Sequence, residues 1–212
     1  NYIKRFPKPY EAALEVRQSL VDLYLARNET QLVKQWREDI IKTEAVAGST
    51  STARMKFIAA NASLQLAIPK YTVFNASRLK IPLKTSLKAK KTLMERALLA
   101  FEQAGAYKVE EVTTSATYYS GLIYYDFSRA LMQSDRPPGL SQEELAQYEF
   151  LLEEQAFPFE EQAIDLFELN ARRTVDGVYN KWIKESLREL GELVPARYAR
   201  TEKSEAYVET IH

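Results

Sequence analysis

Apolar residues recur every three or four positions through almost the whole chain, the period of α-helices that each bury one face. After an extended leader, residues 1–9, ending in Phe6-Pro7-Lys8-Pro9, the spacing predicts a helix from about Tyr10 to Arg27 with the stripe Ala13, Val16, Leu20, Leu23 and Tyr24. Asn28 suits a turn or cap before a second helix, Glu29 to about Ala47, which carries Leu32, Val33, Trp36, Ile40 and Ile41. Gly48-Ser49-Thr50-Ser51 supplies a helix stop and the next N-cap. A third helix follows from about Thr52 to Ala67. Pro69 then either ends it or opens a fourth that runs past Leu79 to a stop at Ile81-Pro82.

From Lys84 to Ala104, Leu87, Lys91, Met94, Leu98 and Phe101 alternate with a lysine-rich opposite face, and Gly105 closes the segment. Val109 to Gln133 is apolar and aromatic nearly all round, so it needs neighbours on every side. Arg136-Pro137-Pro138-Gly139 is a rigid loop, and Ser141 with Glu144 forms a capping box. The stripe Leu145, Tyr148, Leu152, Ala156, Phe159, Ala163, Leu166 and Asn170 keeps its phase through Pro158. This favours one kinked helix over two helices with Pro158 at the first helical position. A last helix, Val178 to Leu193, turns Trp182, Ile183, Leu187 and Leu190 inward before Pro195 stops it, and residues 201–212 form a polar tail. The expected domain thus spans residues 10–200 and is all-α. With 212 residues it needs neither metal nor disulfide for a core.

Chemistry narrows the reading further. The chain has no Cys and one His, the terminal His212, so the usual thiolate, imidazole base and soft metal ligands are missing. The expectation is a non-enzymatic protein without a cofactor or metal. No run of about 18 apolar residues suggests a membrane span. The start at Asn1, without Met or a charged-then-apolar leader, suggests a piece excised from something longer.

A net charge of zero hides a segregation. Ala45 to Met94 holds nine basic residues and no acid, whereas Pro137 to Ala171 holds nine acids and no Lys or Arg. Residues 1–108 carry 19 basic against 9 acidic side chains and residues 109–212 carry 10 against 20, a difference of +10 against −10. Such a field bears on association and steering.

Two places, Gly105-Ala106-Tyr107 and Gly177-Val178-Tyr179, set a glycine turn two residues before an aromatic that can pack back on the preceding helix. Ile183, Leu187, Leu190 and Pro195 share the spacing 4, 3 and 5 with Lys70, Phe74, Ser77 and Pro82. Helix-turn-helix units with a closing proline resemble the tetratricopeptide repeat, and Gly121 with Tyr124 is similar to the Gly and Tyr of its first helix. From Leu83 to Tyr198 the chain resembles the C-terminal region of large bacterial tetratricopeptide-repeat proteins of the cell envelope. The strings that carry this are Leu83-Lys84-Thr85-Ser86-Leu87-Lys88, Val109-Glu110-Glu111-Val112-Thr113-Thr114, Leu151 to Glu161 and Pro195-Ala196-Arg197-Tyr198. The resemblance implies an irregular α-solenoid of antiparallel helix hairpins and a periplasmic scaffold, in some cases within motility or envelope assemblies. It brings no catalytic residues.

Several readings of the charged and aromatic runs compete. Each charged run is the solvated face of its own helices; or Lys84, Lys88 and Lys91 face Glu153, Glu160 or Glu161 within the molecule; or one end of the chain meets the other end of a second copy or a partner protein. The last is favoured as function. The lysine-rich strip 78–96 offers a polyanion-binding alternative, nucleic acid or anionic lipid, although it lacks interleaved aromatics and the acidic half would repel a polyanion. A carboxylate pair such as Glu153 and Glu160 leaves a cell-wall glycan hydrolase as a third reading. Tyr118, Tyr125 and Arg129, spaced 7 and 4, form the candidate aromatic edge for partner capture.

Overall fold

The computed structural model describes residues 8–199. Those residues are all-helical, without a strand. The helices are α1 (Tyr10–Ala26), α2 (Thr30–Ala47), α3 (Ala53–Ala76), α4 (Leu83–Gly105), α5 (Glu110–Met132), α6 (Gln142–Arg172), α7 (Lys181–Leu193) and the single turn α8 (Pro195–Tyr198). Short 3-10 turns follow α2 at Gly48–Thr50 and α6 at Arg173–Asp176. Residues 1–7 of the expected leader and the expected tail lie outside the described residues.

Each helix packs on its successor, and α1 with α3, α3 with α5 and α5 with α7 pack as well. Three apolar clusters result. One joins α1, α2 and α3 around Leu14, Val33, Ile40 and Ile58. The largest joins α3, α4, α5 and α6 around Phe74, Phe101, Ile123 and Phe127. The last joins α5, α6 and α7 around Phe167 and Leu190. Tyr107 packs on the first two clusters, while Tyr119 packs on the second and third. Tyr119 does so by stacking on Phe101 of the second cluster at 4.9 Å and lying 5.5 Å from Trp182 of the third. The all-round apolar helix is α5, which contacts α3, α4, α6 and α7.

Local chemistry accounts for most boundaries. Thr52 caps α3 by accepting from the amide of Met55, one residue beyond the predicted Gly-Ser-Thr-Ser stretch. Ser141 and Glu144 make the reciprocal capping box at the start of α6. Arg136 closes α5 by donating to the carbonyls of Met132 and Ser134, at 2.9 and 2.6 Å. Helix α6 runs unbroken through Pro158, as the preserved phase of its stripe requires.

Four expectations need correction. Pro69 neither ends nor opens a helix, because α3 continues through it. The hydrogen bond it cannot make, to the Gln65 carbonyl, falls where both residues are exposed, while Ala60, Leu64, Ala67 and Phe74 stay on one buried face. In α1 the buried row is Ala13, Leu14, Arg17 and Val21, and Leu23 is exposed. Arg17 turns that face inward by donating to Asp39 of α2 at 2.6 Å and to the Ala13 carbonyl at 3.0 Å. Helix α7 starts at Lys181 rather than Val178, because Asn180 Oδ1 accepts from the amides of Trp182 and Ile183. This strands Tyr179 in the loop, exposed, so it does not repeat the packing of Tyr107. Pro195 ends α7 and also opens the single-turn α8.

Gly121 lets α5 and α6 approach closely. A Cβ at that position would stand 2.6 Å from the Phe167 ring, which is fully buried. Gly121→Ala is expected to destabilise the fold by about 1–3 kcal/mol, read as a fall in Tm by circular dichroism. The loss should shrink in the Phe167→Leu background, since the two sites couple through one contact.

Candidate functional site

Where α2 and α4 pack on α3, a groove of about 740 Å³ remains. Its apolar lining comes from Leu25 at the end of α1, Val33 of α2, Leu66, Pro69 and Val73 of α3, and Leu93 and Leu99 of α4. Leu25, Val73 and Leu99 are exposed, Val73 at 57%, so the apolar surface is open to solvent rather than sealed. Four cations rim it: Lys34 and Arg37 of α2, Lys70 of α3 and Arg96 of α4. Among the described residues no acidic side chain lines it. Lys34 reaches Glu38 only at 4.0 Å. Burial works against the charge of Arg37 and lowers its pKa, partly offset by Asp22. Spacing along each helix builds the lining: Val33 and Arg37, Leu66, Lys70 and Val73, and Leu93, Arg96 and Leu99 each lie three or four positions apart, on one face of their helix.

A second, polar cavity of about 590 Å³ lies beside the end of α3, with Asn75, Arg78 and Lys80 on one side and Asp126, Arg129 and Gln133 of α5 on the other. Lys90 of α4 is its floor. Lys90 is only 1% exposed, and Nζ donates to the carbonyls of Phe74 at 3.1 Å and Ser77 at 2.6 Å while standing 4.3 Å from the centre of the Phe74 ring. It therefore caps the negative C-terminal end of α3. Burial lowers its pKa. Across the cavity, Tyr71 donates to Asp126 Oδ2 at 2.7 Å, tying α3 to α5.

The sequence-derived candidates divide. Tyr118 is 7% exposed, buried against Phe167 and Trp182 with ring centres 6.0 and 5.6 Å away, so it does not belong to an open aromatic edge. Burial raises its pKa. Tyr125 is half-buried beneath the Arg129 guanidinium at 5.5 Å, and Arg129 is exposed with Asp126 4.0 Å away. Lys84, Lys88 and Lys91 lie on one exposed face of α4. Glu153 and Glu161 are exposed on α6 and Glu160 is half-exposed. Among the described residues, no ion pair within 4.0 Å joins residues 8–108 to residues 109–199, so the lysine face and the acidic helix do not neutralise each other internally. Nor does a group of three or more acidic or imidazole side chains converge as a metal site among them. No helix among the described residues is long and apolar enough to cross a membrane.

The groove and Lys90 both escaped the sequence reading. Lys90 sits among surface lysines and differs from them only in its helical angle. The groove residues look like unremarkable surface positions on each separate helix. The available signal was the repeated pairing of a large apolar residue with a cation, Leu66 with Lys70, Val33 with Arg37 and Leu93 with Arg96. Comparison of the chain with known protein families, curated proteins and solved structures finds no match.

Asp126 supplies a pH test. Burial raises its pKa from the ordinary value of 3.8, against the opposing effects of Tyr71, Arg129 and Lys90. An acid whose pKa rises on folding contributes its stability in full below the unfolded value, and loses it as pH climbs through the folded one. Asp126→Asn, which keeps an acceptor for Tyr71 and carries no charge, should melt higher than the parent at neutral pH and coincide with it in acid, in parallel thermal melts.

Proposed function

We propose that the chain is a non-enzymatic protein-docking module, an irregular solenoid of helix hairpins in the manner of tetratricopeptide repeats, that captures an acidic amphipathic segment in the groove between α2, α3 and α4. The observation that carries this reading is the combination of an open apolar floor with four cations and, among the described residues, no acidic side chain in the lining itself. An apolar floor alone rewards any greasy segment, whereas a single-sign rim selects one whose flanks are acidic. The solenoid part is supported by the succession α1, α3, α5 and α7, each odd-numbered helix packing on the next. Shared tyrosines also link the three clusters end to end. Gly121 supports it as well, since the repeat places a glycine in its first helix where the paired helix crowds it. The bacterial envelope setting, and the role as an adaptor in a periplasmic assembly, rest on the resemblance over Leu83 to Tyr198 alone.

The exposed lysine face Lys84, Lys88 and Lys91, which makes no ion pair within 4.0 Å among the described residues, favours a second reading, binding of nucleic acid or anionic lipid. One titration separates the two. The probe is a labelled synthetic helix with two phenylalanines seven residues apart and glutamates between them, followed by fluorescence anisotropy. The parent protein should bind it, more weakly as salt rises. Val73→Glu with Leu99→Glu, both at exposed positions where folding is spared, should weaken binding at least tenfold with an unchanged melt. Equal binding by the variant would remove the groove from the function. Binding of duplex DNA or anionic vesicles that is lost when Lys84, Lys88 and Lys91 become Ala would promote the second reading.

A further inference from the structure

We propose that the occupant of the groove is a second copy of this chain, which inserts the outer ridge of its α6 and so builds a head-to-tail assembly; this rests on the docking reading above. Helix α6 buries Leu152, Ala156, Ala163, Phe167 and Asn170 on one side. The opposite side is not the wholly polar face that a helix at the surface ordinarily shows. It exposes Phe150 at 58%, Phe157 at 59% and also Leu151, with Glu154 and Glu161 between and beside the rings. Two phenylalanines exposed to that degree, aligned on one helix face, form a ridge that water solvates poorly, and such a patch marks an interaction site.

Ridge and groove match in length. Phe150 and Phe157 are seven residues apart, which is two helical turns or about 10.5 Å, while the groove floor from Gln65 to Val73 spans eight residues, about 12 Å. They match in charge too. The ridge lies in the stretch from Pro137 to Ala171, with nine acids and no Lys or Arg, and the groove lies in the half with the +10 excess. Within each half some charges are already met, Lys34 by Glu38 at 4.0 Å on the rim, and Glu149 by Arg136 and Glu168 by Arg172 and Arg197 on α6. Among the described residues no ion pair within 4.0 Å takes up Glu154 and Glu161 of the ridge or Lys70 and Arg96 of the rim, so these charges are left for an intermolecular contact.

Ridge and groove also sit on different helices, so one copy offers both at once. The contact is then heterologous: each copy accepts a ridge from one neighbour and gives its own to the next, which produces a ring if the rotation closes and an open filament if it does not. A contact of a few large side chains and a charged rim is of the small interface class, and the assembly is accordingly weak, concentration-dependent and sensitive to salt.

Sedimentation velocity on the full chain tests this. At low ionic strength the weight-average sedimentation coefficient should rise with concentration, and the rise should collapse in high salt. Phe150→Glu with Phe157→Glu removes the ridge, and Val73→Glu with Leu99→Glu removes the groove; each variant alone should stay monomeric with the parent's melt. Mixed together they should form a one-to-one complex and nothing larger, because one intact groove then meets one intact ridge. A parent that stays monomeric at high concentration, or a mixture of the two variants that stays monomeric while the parent associates, overturns the proposal. If the parent is monomeric yet still binds the labelled acidic helix through Val73 and Leu99, the groove serves a different protein; if it binds neither, the docking reading fails with it.

Discussion

A helix with apolar side chains on every side has no face to give to water, and α5 is such a helix. Val112, Ala116, Ile123, Phe127 and Leu131 pack into one cluster while Tyr118 packs into another, so α5 requires cover from α3, α4, α6 and α7 at once. The close approach on the α6 side is possible because Gly121 has no Cβ to meet the Phe167 ring. The polar strut from Tyr71 to Asp126 and the aromatic contacts of Tyr119 fix the helix on its other sides. The packing order along the rest of the chain follows from the need to surround this one segment.

The helices around α5 are not enclosed in the same way. Helices α2 and α4 need to satisfy only α3 and their immediate neighbours, and the space where they flank α3 stays open. Likewise α6 is covered on its inner side and bare on its outer side, where the acidic run keeps two phenylalanines in water. The apolar surfaces left uncovered carry opposite charge, one basic and one acidic. Segregated charge of this kind acts on encounter and orientation between molecules and says little about how a chain folds.

Features decided within a few residues were readable from the sequence. Ser141 and Glu144 form their capping box from side chains three positions apart, and the apolar phase carried α6 through Pro158. The same test applies to Pro69, because the spacing of Ala60, Leu64, Ala67, Tyr71 and Phe74 is equally unbroken; the helix runs through the proline and ends at Ala76, short of the stop expected at Ile81-Pro82. The inward turn of Arg17 was hidden because its partner Asp39 lies on another helix. Spacing alone does not put Tyr118 in the core, because an all-round apolar helix offers no phase from which to choose a side. The groove depends on three helices meeting, and no periodicity along one segment encodes a meeting.

Pro69 leaves one mark on the floor of that groove. It has no amide hydrogen, so the carbonyl of Gln65, one turn earlier and also part of the lining, lacks its helical donor. That carbonyl is an acceptor fixed by the backbone, unlike the rotatable side chains of Thr30, Gln31 and Gln65 that share the lining. It marks one defined position along a largely apolar floor, a register point written into the helix itself.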